Sequence, residues 1–265
     1  MPTLRITLSY DGTGFVGWQR QANGTSIQGL LEEALARIDG APVTVTGAGR
    51  TDAGVHALGQ VASAGITRAI EIADLIRALN AILPPPVRVL TIREEADGFS
   101  ARFSARSKTY RYRIVNAETL SPFERQYAWH VRQALDIAAM SDAACTLEGR
   151  HDFAAFQASG GSVTTSVRTI LRSSLRSRED VDTMALIGGR LILYDVAASG
   201  FLRHMVRNIV GTLVDVGLGH LPAAAVESIL LSRDRSRAGP TAPAHGLFLV
   251  DVDYDGAADR DCGDE

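Results

Sequence analysis

Lysine is almost missing from this chain. Of its 27 basic residues Lys108 is the only lysine, and the other 26 are arginine. Genomic base composition alone can produce such a bias, but arginine is also the better residue for forked contacts to phosphate and for stacking on bases. Cysteine is nearly as scarce. Cys145 and Cys262 are the only two, at a spacing that suggests neither a disulfide framework nor a metal site and that fits a reducing cytoplasm. No apolar run approaches the length of a membrane helix, and "MPTLRITLSYDG" lacks the apolar stretch of a secretion signal. Strong charge of either sign is absent too: the net charge of −3 points by itself to no polyanionic partner. What is present is a hydrophobic content of 46% over 265 residues, enough for one large domain or two small ones with a substantial core.

Periodicity divides the chain into short elements. "LRITLS" (Leu4–Ser9) alternates as a strand. "YDGTGFVGWQRQANG" carries four glycines and no period, so it reads as a loop. In "TSIQGLLEEALARI" the residues Ile27, Leu30, Leu31, Ala34, Leu35 and Ile38 fall on one helical face, and Thr25 with Gln28 has the spacing of a capping box. "VTVT" (Val43–Thr46) is expected as a strand, Ala69–Ile82 as a helix stopped by Pro84–Pro86, and "VRVLTI" as a strand. "KTYRYRIV" is a strand with Tyr110 and Tyr112 on one face and Arg111 and Arg113 on the other. Asp136–Leu147 is expected as a helix, and Val167–Arg176 and Leu191–Ala197 as strands. In "GFLRHMVRNIVGTLVDVG" an apolar stripe from Leu202 to Val214 faces Arg203, His204, Arg207 and Asn208. A last helix is expected from Pro222, and "GLFLVDVDY" as the last strand. The pattern is α+β with a mainly antiparallel sheet. It divides into an N-terminal subdomain over 1–105 and a C-terminal one over 106–255, with an acidic, disordered tail at 256–265.

The stretch "GAGRTDAGVH" (Gly47–His56) sets an arginine and a carboxylate among glycines. A dinucleotide fingerprint fails because Asp52 stands where the third glycine belongs, and a phosphate loop fails because Val55 stands where the lysine belongs. An anion cradle gains nothing from a carboxylate. The glycines therefore serve sharp turns and close approach, and the loop presents Arg50 and Asp52 at the lip of a cleft. On the residues alone a second reading stays open, in which Asp52 caps the next turn or pairs with Arg50. In "ARFSARSKTYRYR" (Ala101–Arg113) five basic residues and three aromatics alternate with no acid. That composition suits an unstacked nucleotide, or else an ordinary amphipathic strand. A carboxylate beside arginines stays ionised and can act as nucleophile or base.

Five blocks in order, "YDGTGFVGWQRQ", "GRTDAGVHALGQVA", "ARFSARSKTYRYRI", "EGRHDF" and "GFLRHMVRNIVG", closely resemble the tRNA pseudouridine synthase A family. The resemblance runs from Leu4 to Tyr254. It implies two subdomains around an antiparallel sheet with a central cleft, in a homodimer that needs neither cofactor nor metal. The implied reaction converts uridine to pseudouridine at positions 38, 39 and 40 of tRNA, in the anticodon stem-loop. By the same resemblance Asp52 takes the place of the nucleophilic aspartate and Arg207 that of its basic partner. Tyr110 takes the place of the tyrosine against the target base, and Arg50 that of the arginine linked to base flipping. One departure is visible: Ser100 stands where the family's F-H-A-R-F motif has histidine.

Other residues attract plainer readings. His56 is expected to bond within its own loop, His204 and His245 to be structural, His151 and Asp152 to shape a turn rather than bind metal, and Trp18 to pack in the core or stack on RNA. Two other functions remain to be weighed: a non-catalytic module that binds the anticodon arm, and a nucleotide enzyme, the latter disfavoured by the missing phosphate-loop lysine.

Overall fold

A computed structural model describes residues 3–160, 164–178 and 189–255. In chain order the elements are β1 (Thr3–Tyr10), α1 (Ile27–Asp39), β2 (Thr46–Gly47), β3 (His56–Ala64), α2 (Ile72–Ile82), β4 (Val87–Glu95), β5 (Ser107–Ala117), β6 (Trp129–Val131), α3 (Ile137–Cys145), β7 (Gly149–Asp152), β8 (Val167–Arg178), β9 (Gly189–Ala198), α4 (Met205–Gly217), α5 (Ala225–Ser232) and β10 (Leu247–Asp253). This is a mixed α+β fold with mostly antiparallel strands. The acidic tail and Cys262 lie outside the described residues.

The chain forms two compact units. One comprises the residues up to Lys108 together with those from Phe248 on, the other Thr109–Leu247. The expected division at 105/106 with a second subdomain running to 255 differs from this at its far end. β10 belongs with the first unit because it pairs in parallel with β3, Phe248 beside His56 and Leu249 beside Ala57.

In the first unit the strand order is β4–β1–β3–β10, with β2 on β3. β1 is antiparallel to both neighbours and buries every second residue, Leu4, Ile6, Leu8 and Tyr10. The expected capping box is not what starts α1. Ser26 is the N-cap, its hydroxyl accepting from Gly29 N at 3.2 Å. The Gln28 side chain instead donates to the Val45 carbonyl and to Glu32, and accepts from Arg20 N. This also explains why Val43–Thr46 is not a strand, with β2 beginning only at Thr46. Val45 has its N–H bonded to Glu32 and its carbonyl to Gln28, so side chains of α1 take the places that a neighbouring strand would fill.

In the second unit the order is β5–β9–β8–β7, with β6 parallel to β5. α3 packs against α4 and β8. α4 is shorter and more deeply buried than its spacing predicts: Arg203 and His204 precede it, and only Arg207 and Asp215 are not buried along it. Asn208 is fully buried, donating to the Phe156 carbonyl at 2.8 Å and accepting from Thr241 and Arg235. A helical face with polar residues is thus not a wet face here, because protein groups replace the water that an amide needs. Pro222 does not start α5 either. It sits in a preceding turn, with Ala225 N bonded to its carbonyl.

Candidate active site

The loop between β2 and β3 is pinned at several residues. The Gly49 carbonyl accepts from buried Gln60 at 2.9 Å. Thr51 is buried, its hydroxyl 2.8 Å from the Tyr10 hydroxyl and its carbonyl accepting from Trp18 N at 3.1 Å. The Asp52 carbonyl accepts from Val55 N. With the loop so held, Arg50 is exposed and Asp52 half-buried. The glycine-rich loop after β1 crosses directly over this turn. A Cβ on Gly12 would stand 2.1 Å from the Val55 carbonyl oxygen, and one on Gly17, where φ is +104°, 2.5 Å from that of Thr51. Backbone therefore lies against backbone at both crossings, which only glycine permits. Burial pushes the Tyr10 phenol up to about 12, so it stays protonated in the network that holds Thr51.

Tyr110 and Arg207 belong to the second unit. Tyr110, on β5, is 6% exposed, and its ring meets Phe201 edge-on with centroids 4.9 Å apart. Arg207, on α4, is half-buried and donates through Nε to the Ala242 carbonyl at 2.7 Å. Desolvation lowers the His245 pKa, and the Arg207 charge lowers it further. Arg207 is presented just after a strained residue: His204, at the N-terminus of α4, has φ +58°, a conformation that concentrates at functional sites.

The remaining candidates divide clearly. His56 is buried, stacked on Phe248 with centroids 4.7 Å apart, and bonded to the loop after β1. Its Nδ1 lies 3.0 Å from Gly12 N and 3.1 Å from an Asp11 carboxylate oxygen. The neutral ring can accept from Gly12, whereas the imidazolium would turn that nitrogen into a donor toward Asp11. Trp18 is a core residue, 2% exposed and 6.3 Å from the Tyr10 ring. His151 is bonded to the Glu148 carbonyl, and Asp152 to Ser166, Ala154 N and Arg233. Among the described residues no three His, Cys, Asp or Glu side chains are grouped to hold a metal ion. Two of the five cations in the basic stretch serve internal ion pairs, Arg111 with Asp195 at 2.7 Å and Arg113 with Glu124 at 2.8 Å.

Sequence reasoning misses Phe201 as the neighbour of Tyr110, and Gln60, Thr51 and Tyr10 as supports of the Asp52 loop. Phe201 carries a signal in hindsight, an aromatic directly after Gly200 and just ahead of α4. Gln60, Thr51 and Tyr10 lie within the blocks that resemble the family, but no local pattern shows that Gln60 bonds to Gly49 or Tyr10 to Thr51.

A sequence profile described as tRNA pseudouridine synthase matches residues 6–104 and 143–255. These segments include Arg50, Asp52 and Arg207, with Tyr110 between them. The tRNA pseudouridine synthase A of Myxococcus xanthus is 46% identical over 254 residues, covering 96% of this chain and 92% of that protein. That of Moorella thermoacetica is 45% identical over 256 residues, covering 96% and 100%. That of Methylobacterium sp. (strain 4-46) is 47% identical over 255 residues, covering 96% and 98%. With a glycine-laced loop anchored on both sides of Arg50, and with likeness of this extent along both units, the chain belongs to the tRNA pseudouridine synthase family.

Proposed function

We propose that this chain isomerises uridine to pseudouridine in the anticodon stem-loop of tRNA, at positions 38, 39 and 40, acting as a cytoplasmic homodimer without a cofactor. The observation that carries the reading is the loop Gly49–Val55. Its backbone is fixed at Gly49, Thr51 and Asp52, while the Asp52 side chain remains partly open to solvent. Among the described residues no helix is long and apolar enough to cross a membrane.

The chemistry sets what the residues must do. The C1′–N1 bond breaks, the uracil turns, C5 bonds to C1′, the C5 proton leaves and N1 takes up a proton, so the product is an isomer. The base first leaves its stack, at a cost of a few kcal/mol, a step assigned to Arg50. Asp52 supplies the carboxylate, and three routes are open to it: attack at C1′, addition at C6, or removal of a ribose proton. The Tyr110 ring holds the detached base, and its hydroxyl assists loss of the C5 proton. Arg207 takes the cationic role that favours an ionised carboxylate.

The test is to incubate purified protein with unmodified tRNA and map pseudouridine, beside Asp52→Asn. The parent is expected to modify positions 38–40. The variant is expected to fold and bind tRNA but form no product, since an amide can neither attack nor take the proton. A stable variant that still isomerises uridine sinks the assignment. A parent that binds tRNA and forms no product returns the reading to a non-catalytic RNA-binding module.

A further inference from the structure

The turn at residues 100–104, in the first unit, is held on several sides. Ala101 is fully buried. Its N–H donates to the Ser63 hydroxyl at 3.1 Å, and its carbonyl accepts from the Tyr254 hydroxyl at 2.7 Å. Ser100 closes the turn, its carbonyl accepting from Ser104 N at 2.9 Å and its hydroxyl from Phe103 N at 3.4 Å. The Phe99 ring lies 5.2 Å from that of Tyr254, and Arg106 N donates to the Asp253 carbonyl. What this fixed turn displays is Phe103, 79% exposed, the most exposed large hydrophobic side chain among the described residues.

A single exposed phenylalanine is ordinary on a protein surface. Three things set this one apart. Its backbone is preorganised, so little ordering entropy is lost when the ring meets a partner. The Arg102 guanidinium lies 5.2 Å from the ring centroid, as a cation over an aromatic face. Three cations stand close to it in sequence, Arg102, Arg106 and Lys108, and no ion pair ties them to a carboxylate among the described residues. Arg102 is also close enough to help burial lower the Lys108 pKa. An apolar protein surface would gain nothing from those cations, whereas a base offers a π-face and brings a phosphate with it.

We propose that Phe103 is a stacking platform for an unpaired base of the RNA substrate, with Arg102 and Arg106 taking the adjoining phosphates. The proposal rests on the tRNA-modifying reading above and extends it to a surface away from Asp52's loop in sequence. Because every base has a π-face, the contact adds affinity with little regard to sequence.

The experiment compares the full-length parent with Phe103→Ala, Phe103→Leu and Phe103→Trp on an unmodified tRNA transcript. Affinity is measured over a salt series, along with KM, kcat and oligomeric state by light scattering. Phe103→Ala is expected to weaken binding between about fivefold and about 150-fold, the span of one base–aromatic stack. The loss should fall on KM more than on kcat and leave the salt slope unchanged. Phe103→Trp should keep parental affinity, and Phe103→Leu, apolar without a π-face, should not. Parental affinity in Phe103→Ala, or equal affinity in the leucine and tryptophan variants, overturns the proposal. So does a loss that tracks dissociation into smaller oligomers, which makes the ring a contact between copies of the chain. If the parent forms no pseudouridine while Phe103→Ala still weakens tRNA binding, the catalytic reading falls and the stacking platform stands.

Discussion

Asp52 owes its presentation to its neighbours. Thr51 is drawn inward by the Tyr10 hydroxyl, and Gly49 by Gln60, so Arg50 and Asp52 are what the loop has left to offer. Removing the Tyr10 hydroxyl should therefore disturb catalysis without touching a reacting group. Tyr10→Phe is expected to cost about 1 kcal/mol of stability, the worth of an ordinary hydrogen bond, and to lower kcat with little change in KM. Denaturant titration and single-turnover kinetics check both. Tyr110 tests a different property. Tyr110→Phe keeps the ring against Phe201 and should hold tRNA affinity while slowing turnover; Tyr110→Ala should impair both, with about 1–3 kcal/mol of binding lost. If both variants turn over like the parent, Tyr110 is a packing residue and no more.

Among the elements, β5, β8 and β9 are tied through one buried carboxylate. Asp195 on β9 receives Arg111 of β5 and Arg176 of β8 at 2.7 and 2.6 Å. Burial acts to raise its pKa, but the two guanidinium groups outweigh this and hold it below the ordinary carboxylate value. A depressed folded-state pKa means that its stabilisation is fully present above about pH 4, the unfolded value. It is lost as pH falls through the folded value. Asp195→Asn is expected to cost about 3 kcal/mol near neutral pH and to flatten the acid limb of the stability curve, read by urea unfolding from about pH 7 to about pH 3. The helix start offers a smaller test: Ser26→Ala should lose about 1 kcal/mol and Thr25→Ala almost nothing.

These elements also show what the sequence could and could not reveal. Long alternating or helical stretches such as Thr3–Tyr10, Ile72–Ile82 and Ser107–Ala117 are legible because burial repeats along them. The strand expected at Val43–Thr46 fails because its backbone partners are Glu32 and Gln28, which no local pattern exposes. Asn208 reads as a solvent-facing residue because its spacing does not reveal that Phe156, Thr241 and Arg235 surround it. Asp52 stands out chemically, as a carboxylate where a phosphate loop has no use for one. Its supports do not, since they are scattered from Tyr10 to Gln60.

For the molecule as a whole, RNA binding must come from local charge, since the net charge is −3. With Arg111 and Arg113 committed to Asp195 and Glu124, the basic stretch has Arg102, Arg106 and Lys108 left for phosphate. Its share of the slope of log K against log salt is thus expected to be about −2 to −3, not the steeper value that all five cations would give. Single charge removals at Arg102 and Arg106 should each reduce the slope by a little under about 1, whereas removal of Arg113 should leave it nearly unchanged. The pairing of β10 with β3 bears on how the protein is made. A chain growing on a ribosome emits the loop of Asp52 early, but Phe248, which stacks on His56 behind that loop, is among the last described residues to emerge. The first unit is therefore complete only once the β10 segment is available to pair with β3. A chain ending at Leu247 lacks β10 and should be catalytically silent, which a pseudouridine assay of the truncated protein beside the parent checks.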